Sequence, residues 1–205
     1  MRRLSSSPTG RMKTRKRPSL VGAAARVAAA TALGFAARGR LADADEEARK
    51  LIANRSSETF DKALPVLTDL GSTYAVGGAA LVLWAFGRKN LARDVAAAGG
   101  IAWVVAQGMK RVYRRARPYD VDEIEILVRK PAGQSYPSGH PAVAAAVTRV
   151  LDPNVNQPAK KLLSRIPRTV AFSRVYVGVH YPTDVIGGLL LGRAIGDLWL
   201  RYSGD

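Results

Sequence analysis

Apolar segments of restricted length, separated by short basic loops, are the feature that most constrains the fold of this chain. Two of them, residues 70–86 and 95–109, contain no charged side chain. Four others are apolar with few interruptions: 20–37, 141–151, 166–179 and 185–200. A helix that crosses a membrane needs about 20 apolar residues, with about 17 as the lower limit. The pattern therefore predicts an all-α, membrane-embedded bundle of about five to six helices.

The alternative is a soluble bundle whose alanine-rich helices are wholly buried. The distribution of basic residues favours the membrane instead. If the N-terminus lies on the inner side and six segments alternate, most basic loops fall on that side, as the positive-inside rule requires. These inner residues are Arg88, Lys89, Arg93, Lys160, Lys161, Arg165 and Arg168. The exception is the outer loop around residues 110–130, whose cations we therefore expect to have another task.

The N-terminal part of the chain predicts three different local structures. Residues 1–18 are basic and contain no acid, which predicts a disordered tail. Residues 20–37 are typical of the apolar part of a secretory signal peptide or of an uncleaved membrane or interfacial helix. Arginines follow at once and the cleavage site is poor, so we favour the uncleaved helix. Acidic and basic residues mix in 43–62 and predict one or two amphipathic helices.

Composition excludes several kinds of site. The chain contains no cysteine, so it holds neither a disulfide nor a thiolate metal site, and its two histidines, His140 and His180, are too few for a three-histidine site. The formal net charge of +16 indicates an anionic partner: a nucleic acid, a membrane surface or a phosphorylated substrate. Only 7% of the residues are aromatic and no nucleic-acid-binding motif is present, so we expect no nucleic-acid partner.

The first candidate block is the basic segment that runs from Lys110 to Pro118. Lys110 and Arg117 are seven residues apart, about two helical turns, so we expect both side chains on one face of a helix. Pro118 predicts that this helix ends at Arg117. The clustered cations repel one another unless an anion lies among them. The alternative is a basic anchor at a membrane interface.

The second block combines a helix start with a histidine. Ser138 is a suitable N-cap, Gly139 allows close approach to the backbone, and Pro141 fits the first turn. The free amides and the dipole of such a helix start attract an anion. His140 lies at this point. An ordinary capped helix with an exposed histidine is the alternative.

The third block contains Arg174, His180 and Asp184. An unpaired Arg174 in an apolar helix would cost free energy, so we expect it to have a partner or a ligand. Pro182 predicts the start of a helix whose first turn contains Asp184. The spacing lets the Asp184 carboxylate accept the Nδ1 proton of His180, which leaves Nε2 as a nucleophile. The alternative is a structural His–Asp cap.

Taken together, the three blocks resemble the type 2 phosphatidic acid phosphatase (PAP2) superfamily, whose site is shared with vanadium haloperoxidases. The order K-x6-R-P, P-S-G-H and S-R-x5-H-x3-D matches at every position. The resemblance covers about residues 64–200. It implies a PAP2-like catalytic helical bundle in 64–205. The composition of the residues before it predicts a membrane or interfacial helix and an amphipathic segment in 19–63, after the tail in 1–18.

The resemblance also implies roles for the matched residues and a reaction that needs no metal and no cofactor. The phosphate-binding residues would be Lys110, Arg117, Ser138, Gly139 and Arg174. His180, oriented by Asp184, would attack phosphorus, and His140 would protonate the leaving oxygen. The short loop between Pro118 and Pro137 leaves little protein to cover a small soluble substrate.

These features predict a phosphatase of the bacterial plasma membrane that acts on a phosphorylated lipid, with a cytoplasmic N-terminus and the site on the outer face. The candidate substrates are a polyprenyl phosphate or diphosphate, phosphatidate, phosphatidylglycerophosphate, and a decaprenyl-linked phosphoribose phosphate. One alternative is a haloperoxidase that holds vanadate, for which the chain is short. The other is a non-catalytic protein that binds anionic lipid, which would need neither His140 nor Asp184.

Overall fold

The computed structural model describes residues 17–54 and 57–203. These residues form nine α-helices and no β-strand. The helices are α1 Leu20–Ala36, α2 Ala42–Ala53, α3 Glu58–Thr68, α4 Thr73–Ala85, α5 Lys89–Tyr113, α6 Pro118–Val121, α7 Gly139–Leu151, α8 Gln157–Tyr176 and α9 Pro182–Tyr202. Almost all of the predicted tail, residues 1–16, lies outside the described residues.

The predicted all-α bundle is confirmed, and each of the six apolar segments contributes one helix. These are α1, α4, α5, α7, α8 and α9. The helix count is higher than five to six because the amphipathic segment forms α2 and α3, and a single turn after Pro118 forms α6. The division at residues 18 and 63 stays a prediction, although α1 packs along α9 as part of the same bundle.

The start of α4 differs from the apolar pattern. The charge-free segment begins at residue 70, but the helix begins at Thr73 after a 3-10 turn, Asp69–Gly71. Ser72 caps α4 by accepting a hydrogen bond from the amide of Ala75, at 3.1 Å. Across this turn the axes of α3 and α4 are bent by 63°. Together the two helices have the length and apolarity of a membrane span, whereas no single helix of the described residues has both.

Close packing between α7 and α9 forms the centre of the bundle. The α9 glycines Gly188, Gly192 and Gly196 are spaced four residues apart. They face the backbone of α7 and of its N-cap, and Gly196 also faces the first carbons of the Arg149 side chain. A Cβ atom added at Gly192 would overlap the carbonyl oxygen of Ala142. Small residues at this spacing allow two helices to approach backbone to backbone. This contact fixes the position of the α7 N-terminus along the axis of α9.

Three of the charges that interrupt the apolar segments form one group of ion pairs. Asp197 of α9 is buried, and its carboxylate lies 3.0 Å from Nη1 of Arg26 in α1 and 2.5 Å from Nε of Arg149 in α7. A buried carboxylate without such partners would be costly. The three charges therefore join α1, α7 and α9 at one end of the bundle.

The α7–α9 contact predicts a strong difference between two glycine-to-alanine variants. Gly192→Ala adds a methyl group where no space exists, so we expect the free energy of unfolding to fall by about 1–3 kcal/mol. Gly100→Ala in α5 is the matched control, because a Cβ there meets nothing within 4 Å. Higher helix propensity should raise the stability of that variant by up to about 1 kcal/mol. Thermal unfolding measures both, and equal stabilities would contradict this packing.

Candidate active site

The basic block leaves the helix earlier than predicted. Helix α5 ends at Tyr113, Arg114 adopts a left-handed conformation with φ of 47°, and Arg117 is extended. The prediction that the helix ends at Arg117, with Lys110 and Arg117 on one helix face, is therefore wrong. The reason is Arg115, which is buried and pairs with Asp45 and Asp184 at 2.6 and 2.8 Å. The chain must leave the helix for Arg115 to reach both carboxylates.

Arg117 is almost completely buried and contacts the nucleophile candidate directly. Its Nε donates to the carbonyl of Gly133 at 2.7 Å, and its Nη1 donates to the carbonyl of Val179 at 2.9 Å. The same Nη1 lies 3.1 Å from Nε2 of His180. A guanidinium carries only donors, so this contact requires a lone pair on Nε2 and places the imidazole proton on Nδ1.

Asp184 holds the other side of the His180 ring. Pro182 begins α9 as predicted, and Asp184 lies in the first turn with Oδ2 at 3.3 Å from Nδ1 of His180. The same oxygen accepts hydrogen bonds from the amide of Tyr181, at 2.9 Å, and from the hydroxyl of Ser135. The carboxylate is thus fixed by several donors, and the ring orientation follows from it.

Burial and neighbouring cations both act on the charge state of the site. Burial lowers the pKa of His180 well below 6.5, and the charges of Arg117, Arg174 and Lys110 lower it further. His180 is therefore neutral at neutral pH. Burial alone would lower the pKa of Arg115. The carboxylates of Asp184 and Asp45 together have the larger effect and raise the pKa of this guanidinium.

The N-terminus of α7 meets the predicted anion site. Ser138 is its N-cap, and the Ser138 amide donates to the backbone oxygen of Asp184 at 2.9 Å. The Ser138 hydroxyl is buried and has no hydrogen-bond partner within residues 17–54 and 57–203. A Cβ added at Gly139 would meet nothing within 4 Å, so the space beside the first residue of α7 is open. An anion there would face free N–H groups and the helix dipole.

Arg174 and His140 complete the set. Arg174 is buried in the last turn of α8, where Nη1 donates to Thr68 at 3.2 Å, and its Nε has no hydrogen-bond partner in the described part of the chain. His140 packs its backbone against the turn before α4, because a Cβ on Gly71 would lie 2.5 Å from the His140 oxygen. His140, like the three cations, is close enough to influence the charge of His180.

The structure therefore gathers all the predicted site residues at one place: Lys110, Arg117, Ser138, Gly139, His140, Arg174, His180 and Asp184. Among the residues described, no three carboxylate or imidazole side chains are placed to hold a metal ion. Three cations, a helix N-terminus and a neutral histidine with a free lone pair suit the binding of a phosphoryl group and attack on it.

Sequence reasoning missed the residues that support Asp184 and Arg174. Ser135, Thr183 and Thr68 are ordinary hydroxyl residues with no spacing signal, and their contacts span long sequence separations. Arg115 is one of several cations in the basic block from Lys110 to Pro118, and nothing in the sequence distinguishes it from the others. Asp45 lies in the amphipathic segment, where a charged residue is expected to face solvent, yet it is 4% exposed.

The sequence pattern described as "PAP2 superfamily" matches residues 91–205. The chain belongs to this superfamily. The matched region contains the whole set of predicted site residues, whereas α1 to α4 lie before it.

Two curated proteins and one solved structure are similar to this chain over half of its length or more. An undecaprenyl-diphosphatase of Bacillus subtilis is 33% identical over 63% of this chain and 70% of its own length. A decaprenylphosphoryl-5-phosphoribose phosphatase of Mycobacterium tuberculosis is 37% identical over 50% of this chain and 56% of its own length. The crystal structure of a transmembrane PAP2-type phosphatidylglycerolphosphate phosphatase from Bacillus subtilis has the same fold, with a TM-score of 0.73 at 22% identity over 87% of this chain and 94% of that one.

The lowered pKa of His180 predicts how stability depends on pH. Below pH 6.5 the unfolded chain binds a proton at this position that the folded chain does not, so the free energy of unfolding falls as the pH decreases. His180→Gln removes this dependence. Relative to wild type, we expect the variant to gain up to about 1.4 kcal/mol per pH unit below that value.

Thermal unfolding of both proteins at about pH 7.5 and about pH 5.5 measures this difference. His140 is present in both proteins, so its own titration cancels in the comparison. A stability difference that does not change with pH would contradict a neutral, buried His180.

Proposed function

We propose that this chain is a lipid phosphate phosphatase that works through a phosphohistidine intermediate on His180. The observation that carries the proposal is the arrangement of the His180 ring: Nδ1 faces Asp184 and Nε2 faces Arg117. That ring is buried and neutral, and cations surround its free lone pair. A non-catalytic lipid binder would have no use for a carboxylate that fixes the imidazole.

In the proposed first step, the phosphoryl group is bound by cations and by amides of α7. Lys110, Arg117 and Arg174 neutralise its oxygens, and Ser138 and Gly139 donate from the helix start. Arg117 Nη1 moves from Nε2 of His180 to a phosphoryl oxygen, which frees the lone pair. Nε2 then forms a bond to phosphorus while the bond to the leaving oxygen breaks. Burial and the nearby cations lower the pKa of His140 to about 3, so this imidazole takes up a proton when the anionic phosphoryl group binds and then gives it to the leaving oxygen.

In the proposed second step, water hydrolyses the phosphohistidine. His140, now neutral, takes a proton from the water as its oxygen bonds to phosphorus, and the bond between phosphorus and Nε2 breaks. Inorganic phosphate leaves, and His180 returns to its starting state. Asp184 accepts the Nδ1 hydrogen bond in both steps and stabilises the charge that develops on the ring.

The outer surface of the bundle supports a membrane location. In α4 only Val76 is buried, whereas Tyr74 is 90% and Leu81 65% exposed. Trp103 and Val104 of α5 are also exposed. Soluble monomers rarely expose continuous apolar patches of more than a few hundred Å². We therefore place these faces against lipid in a bacterial plasma membrane, with a cytoplasmic N-terminus and the site on the outer face.

A membrane location narrows the substrate to a phosphorylated lipid. The activities of the two relatives at 33% and 37% identity favour a polyprenyl phosphate or diphosphate, or a decaprenyl-linked phosphoribose phosphate, over phosphatidate and phosphatidylglycerophosphate. The cations of the site suit the anionic head group that all of them share.

A panel of these lipids tests the proposed activity. We expect purified protein to release phosphate from at least one of them, with or without EDTA. His180→Ala should reduce the rate at least about 10⁴-fold, because the intermediate no longer forms. Circular dichroism checks that this variant remains folded. Retained turnover in it would contradict the mechanism, loss of activity with EDTA would contradict metal independence, and bromide oxidation with added vanadate would favour a haloperoxidase.

Extraction tests the membrane location. Washing isolated membranes with about 1 M salt screens charge interactions but leaves apolar contacts intact. We expect the protein to stay in the membrane pellet after this wash and to be released by detergent. Release by salt alone would indicate a protein held only at the membrane surface.

A further inference from the structure

A buried group of charges connects α2 with the start of α9, behind the proposed nucleophile. Asp45 of α2 and Arg115 are 4% and 8% exposed, and Asp184 is completely buried. Asp184 lies on the Nδ1 side of His180, whereas the proposed phosphate position lies on the Nε2 side. Asp45 also lies before residues 91–205, the part that matches the superfamily pattern.

Arg115 bridges two carboxylates. Its Nη2 lies 2.6 Å from Oδ2 of Asp45, and its Nη1 lies 2.8 Å from Oδ1 of Asp184. Its guanidinium carbon also lies 4.1 Å from the centre of the Tyr181 ring. One cation therefore serves two anions, and each carboxylate draws the guanidinium away from the other.

Asp45 is further tied to the first turn of α9 through Thr183. Its Oδ1 accepts a hydrogen bond from the amide of Thr183 at 2.9 Å, and its Oδ2 accepts one from the Thr183 hydroxyl. That hydroxyl also lies 2.7 Å from Nη1 of Arg115. A carboxylate from another helix thus satisfies one of the free N–H groups at the start of α9.

We propose that Asp45 is a positioning residue for the phosphatase reaction: through Arg115 and Thr183 it holds Asp184 in the place where that carboxylate orients His180. This inference rests on the proposed function, because it requires His180 to be the nucleophile. The amphipathic helix α2 is then part of the catalytic apparatus.

The physical reason is a competition for one cation. With Asp45 present, Arg115 is shared, and Asp184 keeps negative charge to accept the Nδ1 proton of His180. Without the Asp45 carboxylate, Arg115 pairs with Asp184 alone. The guanidinium then offsets the negative charge of Asp184 and draws this carboxylate away from the imidazole ring of His180. Attack by His180 should slow, whereas binding of the phosphoryl group should change little because Asp45 touches none of its proposed ligands.

Asp45→Asn tests this inference on the best substrate of the lipid panel. We expect kcat to fall about 10- to 100-fold, the range typical of partners that orient an active-site group, with KM changed less than about threefold. Asp43→Asn is the matched control, because Asp43 lies in the same first turn of α2 but is exposed. It should keep the wild-type kcat. Rapid-quench measurement should show slower formation of the phosphoenzyme in Asp45→Asn.

Two further variants separate positioning from a general loss of structure. Asp45→Glu keeps the charge and should recover part of the lost kcat. Thr183→Val keeps the volume but removes the hydroxyl that joins Asp45 to Arg115, and it should lower kcat even if Asp45→Asn does not fold. Wild-type kcat in folded Asp45→Asn, or in Thr183→Val when Asp45→Asn does not fold, would overturn the inference.

The same experiment distinguishes this failure from failure of the proposed function. Wild-type protein with no activity on any lipid, or full activity in His180→Ala, would show that the function itself is wrong. Activity in the wild type and none in His180→Ala, together with unchanged kcat in folded Asp45→Asn, would reject only the role of Asp45.

Discussion

The carboxylate of Asp184 holds the site together, because helices and loops that are distant in sequence meet at its two oxygens. One oxygen faces Arg115, and the other faces His180, Ser135 and the Tyr181 amide. Its backbone oxygen accepts the amide of the α7 N-cap. A fully buried charge with this many donors is expensive to displace, so the parts it connects keep fixed relative positions.

The two ends of the bundle solve the same electrostatic problem in different ways. Around Asp197, two arginines share one carboxylate, and this ion pairing accounts for all three buried or half-buried charges. Around His180, none of the three cations Lys110, Arg117 and Arg174 forms an ion pair with a carboxylate of residues 17–54 or 57–203. Arg115, behind the ring, pairs with Asp45 and Asp184. Cations this close repel one another, so the fold must hold them in place. A bound anion lowers this repulsion.

Much of this arrangement follows from local sequence signals. Pro182 and Ser138 mark helix starts, and the spacing of His180 and Asp184 predicts their contact, because each signal acts within one helical turn. The departure of the chain from α5 at Arg114 could not be predicted, because the carboxylates that Arg115 meets beyond the helix end, Asp45 and Asp184, lie about seventy residues away in sequence. The bend before α4 could not be predicted either. The turn at Gly71 packs against the backbone of His140, which is distant in sequence.

The contact between Arg117 and Nε2 of His180 also determines which molecules the nucleophile can meet. The guanidinium covers the lone pair and is itself anchored to the carbonyls of Gly133 and Val179. A neutral electrophile offers the guanidinium no replacement for the imidazole nitrogen, so the histidine stays masked. An anionic head group does offer one. In the proposed mechanism, Nε2 of His180 is therefore released for attack only when an anionic substrate binds.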